Sequence, residues 1–178
     1  MKVLIITPLF PPDTGAPAPY SKLLAKRLAK HDVIVLAHGT LPETVPHATI
    51  ISIPKNSLKT ILIAKTLRQL FLIKTDLIVV NNGPAVELPM LIYSFFAKTP
   101  FILIESDPIS LSHSQTGLRA LVHRNLRKRA RGVLQLPTHE SDYLPLEILP
   151  FRKIDTACQA AQDAWWNEHC KQIESYGS

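Results

Sequence analysis

A chain of 178 residues, 46% apolar and 19% charged, is long enough to bury a core in one globular domain and too apolar to be a disordered tail. Its net charge of +6 is unevenly placed, since His123 to Gly132 holds five of the twenty lysines and arginines. The apolar runs Leu58 to Ile73 and Leu88 to Ala97 are interrupted or too short for the ~20 residues that cross a bilayer, so no integral membrane span is predicted.

The chain opens on Met-Lys and "VLII", an apolar run too short for a secretory signal, which meets prolines instead of a small-residue cleavage site. It reads as a mature strand over Lys2 to Thr7. The loop behind it carries Pro11, Pro12, Pro17 and Pro19, which stiffen the path, and Gly15, which permits positive φ or close backbone approach to a ligand. A helix follows over Pro19 to Lys30, with Leu23, Leu24 and Leu28 at helical spacing and basic residues between them. Strands are then predicted at Asp32 to Leu36, Thr49 to Ile53, Asp76 to Asn81, Phe101 to Glu105 and Gly132 to Leu136. Helices are predicted at Leu58 to Ile73, Pro84 to Ala97 and Gly117 to Arg131. Most of the strands are continuously apolar instead of alternating, which suits a sheet covered on both faces. The repeated β-α-β order predicts an α/β fold, a single Rossmann-like doubly wound, mostly parallel sheet with right-handed crossovers.

In such a sheet ligands collect outside the carboxyl ends of the strands, at the point where strand order reverses. The segments to inspect are therefore "PLFPPDTGAP", "AHGT", "NNGP", "ESDP" and "PTHES". The first lacks G-x-G-x-x-G, so a dinucleotide site is not supported. Asn82 and Gly83 either line an acceptor pocket or form the strand-to-helix turn before Pro84. His113 is either a displaced catalytic base or a local hydrogen-bonder. His38 and Gly39 read as a turn, and Thr138 as the cap of a short helix containing His139 and Glu140.

The opening "KVLIITPLFPPDTGAPAPYSKLLAKRLAKHDVIVL" resembles the N-terminal half of the two-domain glycosyltransferases of family 4, which have the GT-B fold. The resemblance continues through "TDLIVVNNGPAVELPMLIYSFFAKTPFILIESD" and "RARGVLQLPTHESDYL", and covers roughly Met1 to Asp155. It implies an acceptor-binding domain whose partner domain grips a nucleotide-sugar, with transfer in the cleft between them and no obligatory metal or other cofactor. It also implies that Asp13, Thr14, Gly15 and Ala16 form a loop over the donor phosphates, although the family commonly has two adjacent glycines there. The family's histidine at the end of the fifth strand is replaced here by Glu105, Ser106 and Asp107. Glu105 and Asp107 either act as a base toward an acceptor hydroxyl or cap the following turn or helix. The donor domain's spaced pair of glutamates has no counterpart, so a separately encoded donor-binding partner is expected.

The two cysteines, Cys158 and Cys170, match neither a zinc nor a redox spacing, which sets the expectation of a reducing cytoplasm. The basic run, with Arg124, Arg127, Lys128, Arg129 and Arg131, is either a solvated helix face or a patch for the inner face of an anionic membrane. Nucleic acid is disfavoured, because no aromatic residue lies within that run to stack on bases. From Asp155 or Thr156 the tail reads as a helix ending near Gly177. It resembles the family's crossing helix, which packs back on the first domain, and divides the chain into residues 1–154 and 155–178. An isolated helix of this length is marginal in water, so Trp165 or Trp166 is expected to bury its ring against the domain. The reading as a whole is a glycosyltransferase-like protein inactive by itself, with a non-catalytic binding or scaffold protein as the alternative.

Overall fold

Runs such as KVLII, LIVV and FILI have no polar face to offer water, so each is stable only as a strand buried on both sides. The computed structural model describes residues 1–15, 17–39, 41–55, 58–106, 117–137 and 156–177, with backbone alone for 156–158. Among these residues the strands are β1 (Lys2–Thr7), β2 (Asp32–His38), β3 (Ala48–Ile53), β4 (Leu77–Asn81), β5 (Phe101–Glu105) and β6 (Gly132–Gln135). They form one sheet in the order β3-β2-β1-β4-β5-β6, with every neighbouring pair parallel. The helices are α1 (Pro17–Arg27), α2 (Lys59–Leu72), α3 (Pro84–Phe96), α4 (Gly117–Arg129) and α5 (Thr156–Ser175). This is a Rossmann-like doubly wound fold, whose strand order reverses between β1 and β4.

Alternate residues of each strand feed two cores. On one face Val3, Ile5, Val35, Val79 and Ile102 pack with Tyr20, Leu24 and Leu28 of the α1 segment and with Trp166, Cys170 and Ile173 of α5. On the other, Leu4, Ile6, Leu36, Val80 and Leu103 pack with Leu62 and Leu70 of α2, Val86, Met90 and Tyr93 of α3, and Leu126 of α4. No helix among the described residues is long and apolar enough to cross a membrane.

Element ends differ from the sequence expectation where tertiary pairing intervenes. His38, expected in a turn, is the last residue of β2, because pairing with β3 carries the strand through Ala37↔Ser52 and His38↔Ile53. Asp76 falls just outside β4 and ties the strand's start to β1, its N–H donating to Lys2 O at 2.9 Å and its carboxylate accepting from Lys2 N at 2.6 Å. Helix α1 begins two residues early, at Pro17, a residue suited to a first helical position because its missing N–H would have no intrahelical partner there. Helix α4 stops at Arg129, and Arg131 N instead donates to Phe101 O at 2.8 Å.

Helix α5 docks on α1. Trp166 is 1% exposed and stacks on Tyr20 at 5.6 Å, while Trp165 is only half-buried and lies flat on His169 at 4.5 Å. Tyr20 Oη and His169 Nε2 share a hydrogen bond of 2.8 Å, and burial pushes His169 down to about 4, so the ring is neutral at pH 7. Around this apolar seam Arg27 pairs with Asp163, Lys30 with Glu174 at 2.9 Å, and Arg131 donates to Tyr176 O at 2.7 Å. The Cys170 thiol is outside any disulfide and buried in the seam, pushed up to about 11 chiefly by burial.

Candidate functional site

The carboxyl ends of β1, β4 and β5 meet at the strand-order reversal, and there the apolar runs give way to polar residues. On the α1 side, Ser21 Oγ lies 3.0 Å from Thr7 Oγ1 and accepts from Asn81 Nδ2 at 2.9 Å. Asn82 Oδ1 accepts from Ser106 N at 2.9 Å and from Ser106 Oγ at 3.3 Å. All five residues are buried, and each hydroxyl or amide answers another, so the strand ends are locked together beneath the edge. Asn82 thus serves as a clamp between the β4 and β5 ends, and Ser21, Asn81 and Ser106 are members that sequence reading did not single out.

Gly83, directly after Asn82, starts α3 with φ at 158°. A Cβ there would stand 2.9 Å from Pro8 Cγ, so only glycine lets the first loop lie against this turn. Gly83→Ala is expected to push that loop aside and lower stability by roughly 1 to 3 kcal/mol; an unchanged thermal melt would show that the loop has slack.

On the opposite face the same strand ends carry charge. Glu87, in the first turn of α3, accepts from Gly83 N at 3.2 Å, and the same Oε1 lies 3.1 Å from His123 Nδ1 on α4. His123 Nε2 is 3.4 Å from Glu105 Oε1 at the end of β5, and Arg127 Nε reaches that oxygen at 3.5 Å. Gln135 Nε2 donates to the other oxygen, Glu105 Oε2, at 2.9 Å. The side chains of Glu87 and Glu105 are 1% and 2% exposed and that of His123 is 12% exposed. Between two such carboxylates the imidazole gains a proton: the neighbouring Glu105, then Glu87, raise it to about 9 against the opposing effect of burial. Glu105 is correspondingly held below the usual carboxylate range, first by the His123 ring, against burial, with Gln135 and Arg127 assisting. At pH 7 this is a carboxylate–imidazolium–carboxylate chain. Glu105 there is a weak base, and His123 is a proton holder more than an acceptor. Among the described residues no group of three or more His, Cys, Asp or Glu is arranged to hold a metal ion.

Glu105 therefore lies where the sequence places it, at the end of β5, but its carboxylate is engaged by α4 and β6. Asp107 and His113 lie outside the described residues, as do Ala16, Thr138, His139 and Glu140. Of the first loop, Thr14 and Gly15 are exposed, while Asp13 is drawn toward the β3 side by Lys55 Nζ at 2.6 Å. Pro11 O accepts from Glu43 N at 2.8 Å, and buried Phe10 anchors the loop's base. Glu87 and His123 were missed. The available signal was a lone acid in the otherwise apolar helix PAVELPMLIYSFF, four residues after a glycine whose N–H needs an acceptor.

The basic run is divided among several tasks. Arg127 turns to Glu105, Arg131 to the end of α5, and Arg129 donates to Ser94 Oγ and Ser94 O at 2.9 and 2.7 Å. Arg124 and Lys128 are exposed. A third polar group closes the β2 end: His38 is buried, 3.0 Å from Thr66 Oγ1, and pushed down to about 4, chiefly by burial. Thr66 gives its own hydroxyl proton to Leu62 O at 2.8 Å, so His38 Nε2 carries the proton it donates to Thr66.

A scan against protein-family models finds none that matches this chain, and a search of curated proteins finds no match either.

Proposed function

We propose that this domain is the acceptor-binding half of a glycosyltransferase of the family 4 type, completed by a separate donor-binding domain. The observation that carries the reading is the convergence, at one strand-order reversal, of an exposed loop at Thr14 and Gly15 with an ordered polar edge built from Thr7, Asn81, Asn82 and Ser106. An open α/β sheet binds small ligands at that place, and the locked strand ends give the exposed loop a rigid base against which a ligand can be held. In the reaction proposed, an acceptor hydroxyl oxygen bonds to the sugar's anomeric carbon, the bond from that carbon to the nucleoside diphosphate breaks, and the hydroxyl proton leaves to a base.

A non-catalytic binding or scaffold role is the second reading, favoured by the engagement of Glu105 in ion pairs with His123 and Arg127. Both readings share one expected result: the 178-residue chain alone transfers no sugar and binds nucleotide-sugars at best in the millimolar range, about −4 kcal/mol. Calorimetric titration with a panel of nucleotide-sugars tests it, and micromolar binding of any of them overturns the half-site proposal. The two readings separate on adding a donor-binding domain. Transfer that then needs this chain supports the first, and its absence with retained acceptor binding supports the second. Residence on the inner face of a membrane belongs to the same proposal.

A further inference from the structure

The helices α2, α3 and α4 run antiparallel to the strands they follow, so their C-terminal ends gather at the edge of the sheet opposite the polar site. There the sequence leaves large apolar side chains in water. Phe71, Leu72, Phe95 and Phe96 are 50%, 61%, 61% and 76% exposed. They form one ridge, since the Phe71 ring lies 5.0 Å from Tyr93 and 6.4 Å from Phe96, and Arg129 Cζ sits 4.1 Å over the Phe95 ring. Beside the ridge a concavity of about 300 Å³ is lined by Ser94, Thr99, Lys98, Arg129 and Arg131, and no carboxylate lines it among the described residues. A strand of five residues, β5, separates the concavity at Phe101 from Glu105, roughly 13 Å at ~3.3 Å per residue.

We infer that this ridge and its cationic concavity are a docking surface for an anionic lipid bilayer, the aromatic side chains entering the headgroup boundary and Lys98, Arg129 and Arg131 meeting lipid phosphates. The surface is distinct from the exposed Arg124 and Lys128 of the basic run; it deepens the membrane residence proposed above by giving it a site, and its test reads vesicle binding, which does not depend on glycosyl transfer. Three features select a bilayer. The charge is of one sign and is arranged around a pocket open to phosphate. The apolar groups form a narrow ridge of helix-end side chains with cations beside it, the amphipathic arrangement that enters a headgroup boundary. Four side chains also fall short of the ~800 Å² per side that a stable protein interface buries. The cations outweigh the partial negative charge of the helix ends, and Arg129 answers the last turn of α3 directly through Ser94 O.

Flotation with phosphatidylcholine vesicles, with and without phosphatidylglycerol, tests the inference. The chain is expected to float with the anionic vesicles only, and to be released as salt shortens the screening length. Lys98→Glu and the double variant Phe95→Ser with Phe96→Ser are each expected to weaken binding roughly tenfold or more. Leu118→Ser with Leu121→Ser, exposed at the other end of α4, is expected to bind as the parent does. Circular dichroism melts confirm that the variants fold, which the exposure of the replaced rings favours. Three outcomes overturn the inference: equal flotation with neutral vesicles, flotation that the Leu118 and Leu121 pair abolishes while the ridge variants retain it, or no flotation. Concentration-dependent dimerisation lost in the phenylalanine double variant would assign the ridge to a second copy of the chain instead.

Discussion

Replacing His123 with alanine is expected to destabilise the domain at pH 7 by about 3 to 5 kcal/mol, the cost of leaving buried carboxylates without their counter-charge. The argument rests on geometry. Glu87 and Glu105 are almost wholly buried on different elements, and His123 is the side chain that stands between both. Arg127 covers only Glu105, at 3.5 Å and half in solvent, so it cannot take over for Glu87. Replacing Glu87 and His123 together by glutamine removes a charge of each sign and is expected to recover much of the loss. Urea denaturation of the three proteins measures this, and an alanine variant that unfolds at the parent's midpoint would mean the chain of charges contributes nothing.

The same histidine sets one limb of the stability-pH profile. Its folded pKa of about 9 lies above the ordinary 6.5, so the folded state holds a proton that the unfolded chain releases between those values. Its contribution is complete below pH 6.5 and is lost as pH rises toward 9, by up to about 1.4 kcal/mol per pH unit. His38 and His169 act oppositely. With folded values of about 4, they stay neutral while the unfolded chain takes up protons, so stability falls as pH drops from 6.5 toward 4. The expected profile peaks near 6.5, and His123→Gln should flatten its alkaline limb while leaving the acid one. A parent profile flat from 6.5 to 9 contradicts the buried imidazolium.

The second large effect lies in the tail. Trp166→Ala is expected to cost about 3 to 5 kcal/mol, because the ring fills the seam between α1 and α5 and the cavity left behind cannot fully collapse. Trp165→Ala should cost less, since that ring is only partly buried, lying flat on His169 and edge-on to Trp166 at the border of the core. Against a total of ~5 to 15 kcal/mol for a domain of this size, the first change brings the protein close to unfolding and the second does not. Paired thermal melts decide it. Small losses from both substitutions would mean that the helix is held by its ion pairs with Arg27 and Lys30 instead of by Trp166, and equally large ones that both rings hold it.

The local part of this architecture was legible in the sequence because it is written in local patterns. Continuous apolar runs of four residues, VLII and FILI, with the polar residues that flank them, marked β1 and β5 to their ends, and the strand-helix alternation specified a parallel sheet with both faces covered. Composition likewise required that some large ring of the tail be buried. Which ring, however, depended on the rotation of α5 against Tyr20, a property of two surfaces 146 residues apart at Trp166 and Tyr20. The charged site was hidden for the same reason. Glu87 is a lone acid in an apolar helix and His123 the first member of a basic run, and along the chain nothing pairs one with the other. Only the packing of α3 against α4, over the end of β5, brings them within 3.1 and 3.4 Å of shared contacts. It also redistributes the basic run, sending Arg127 inward while Arg129 joins a ridge of phenylalanines from other helices. Hydrophobic periodicity is a property of neighbours in sequence and determines which elements form. Ion pairs and ring contacts are short-ranged in space, so their members were decided by how those elements came to lie together.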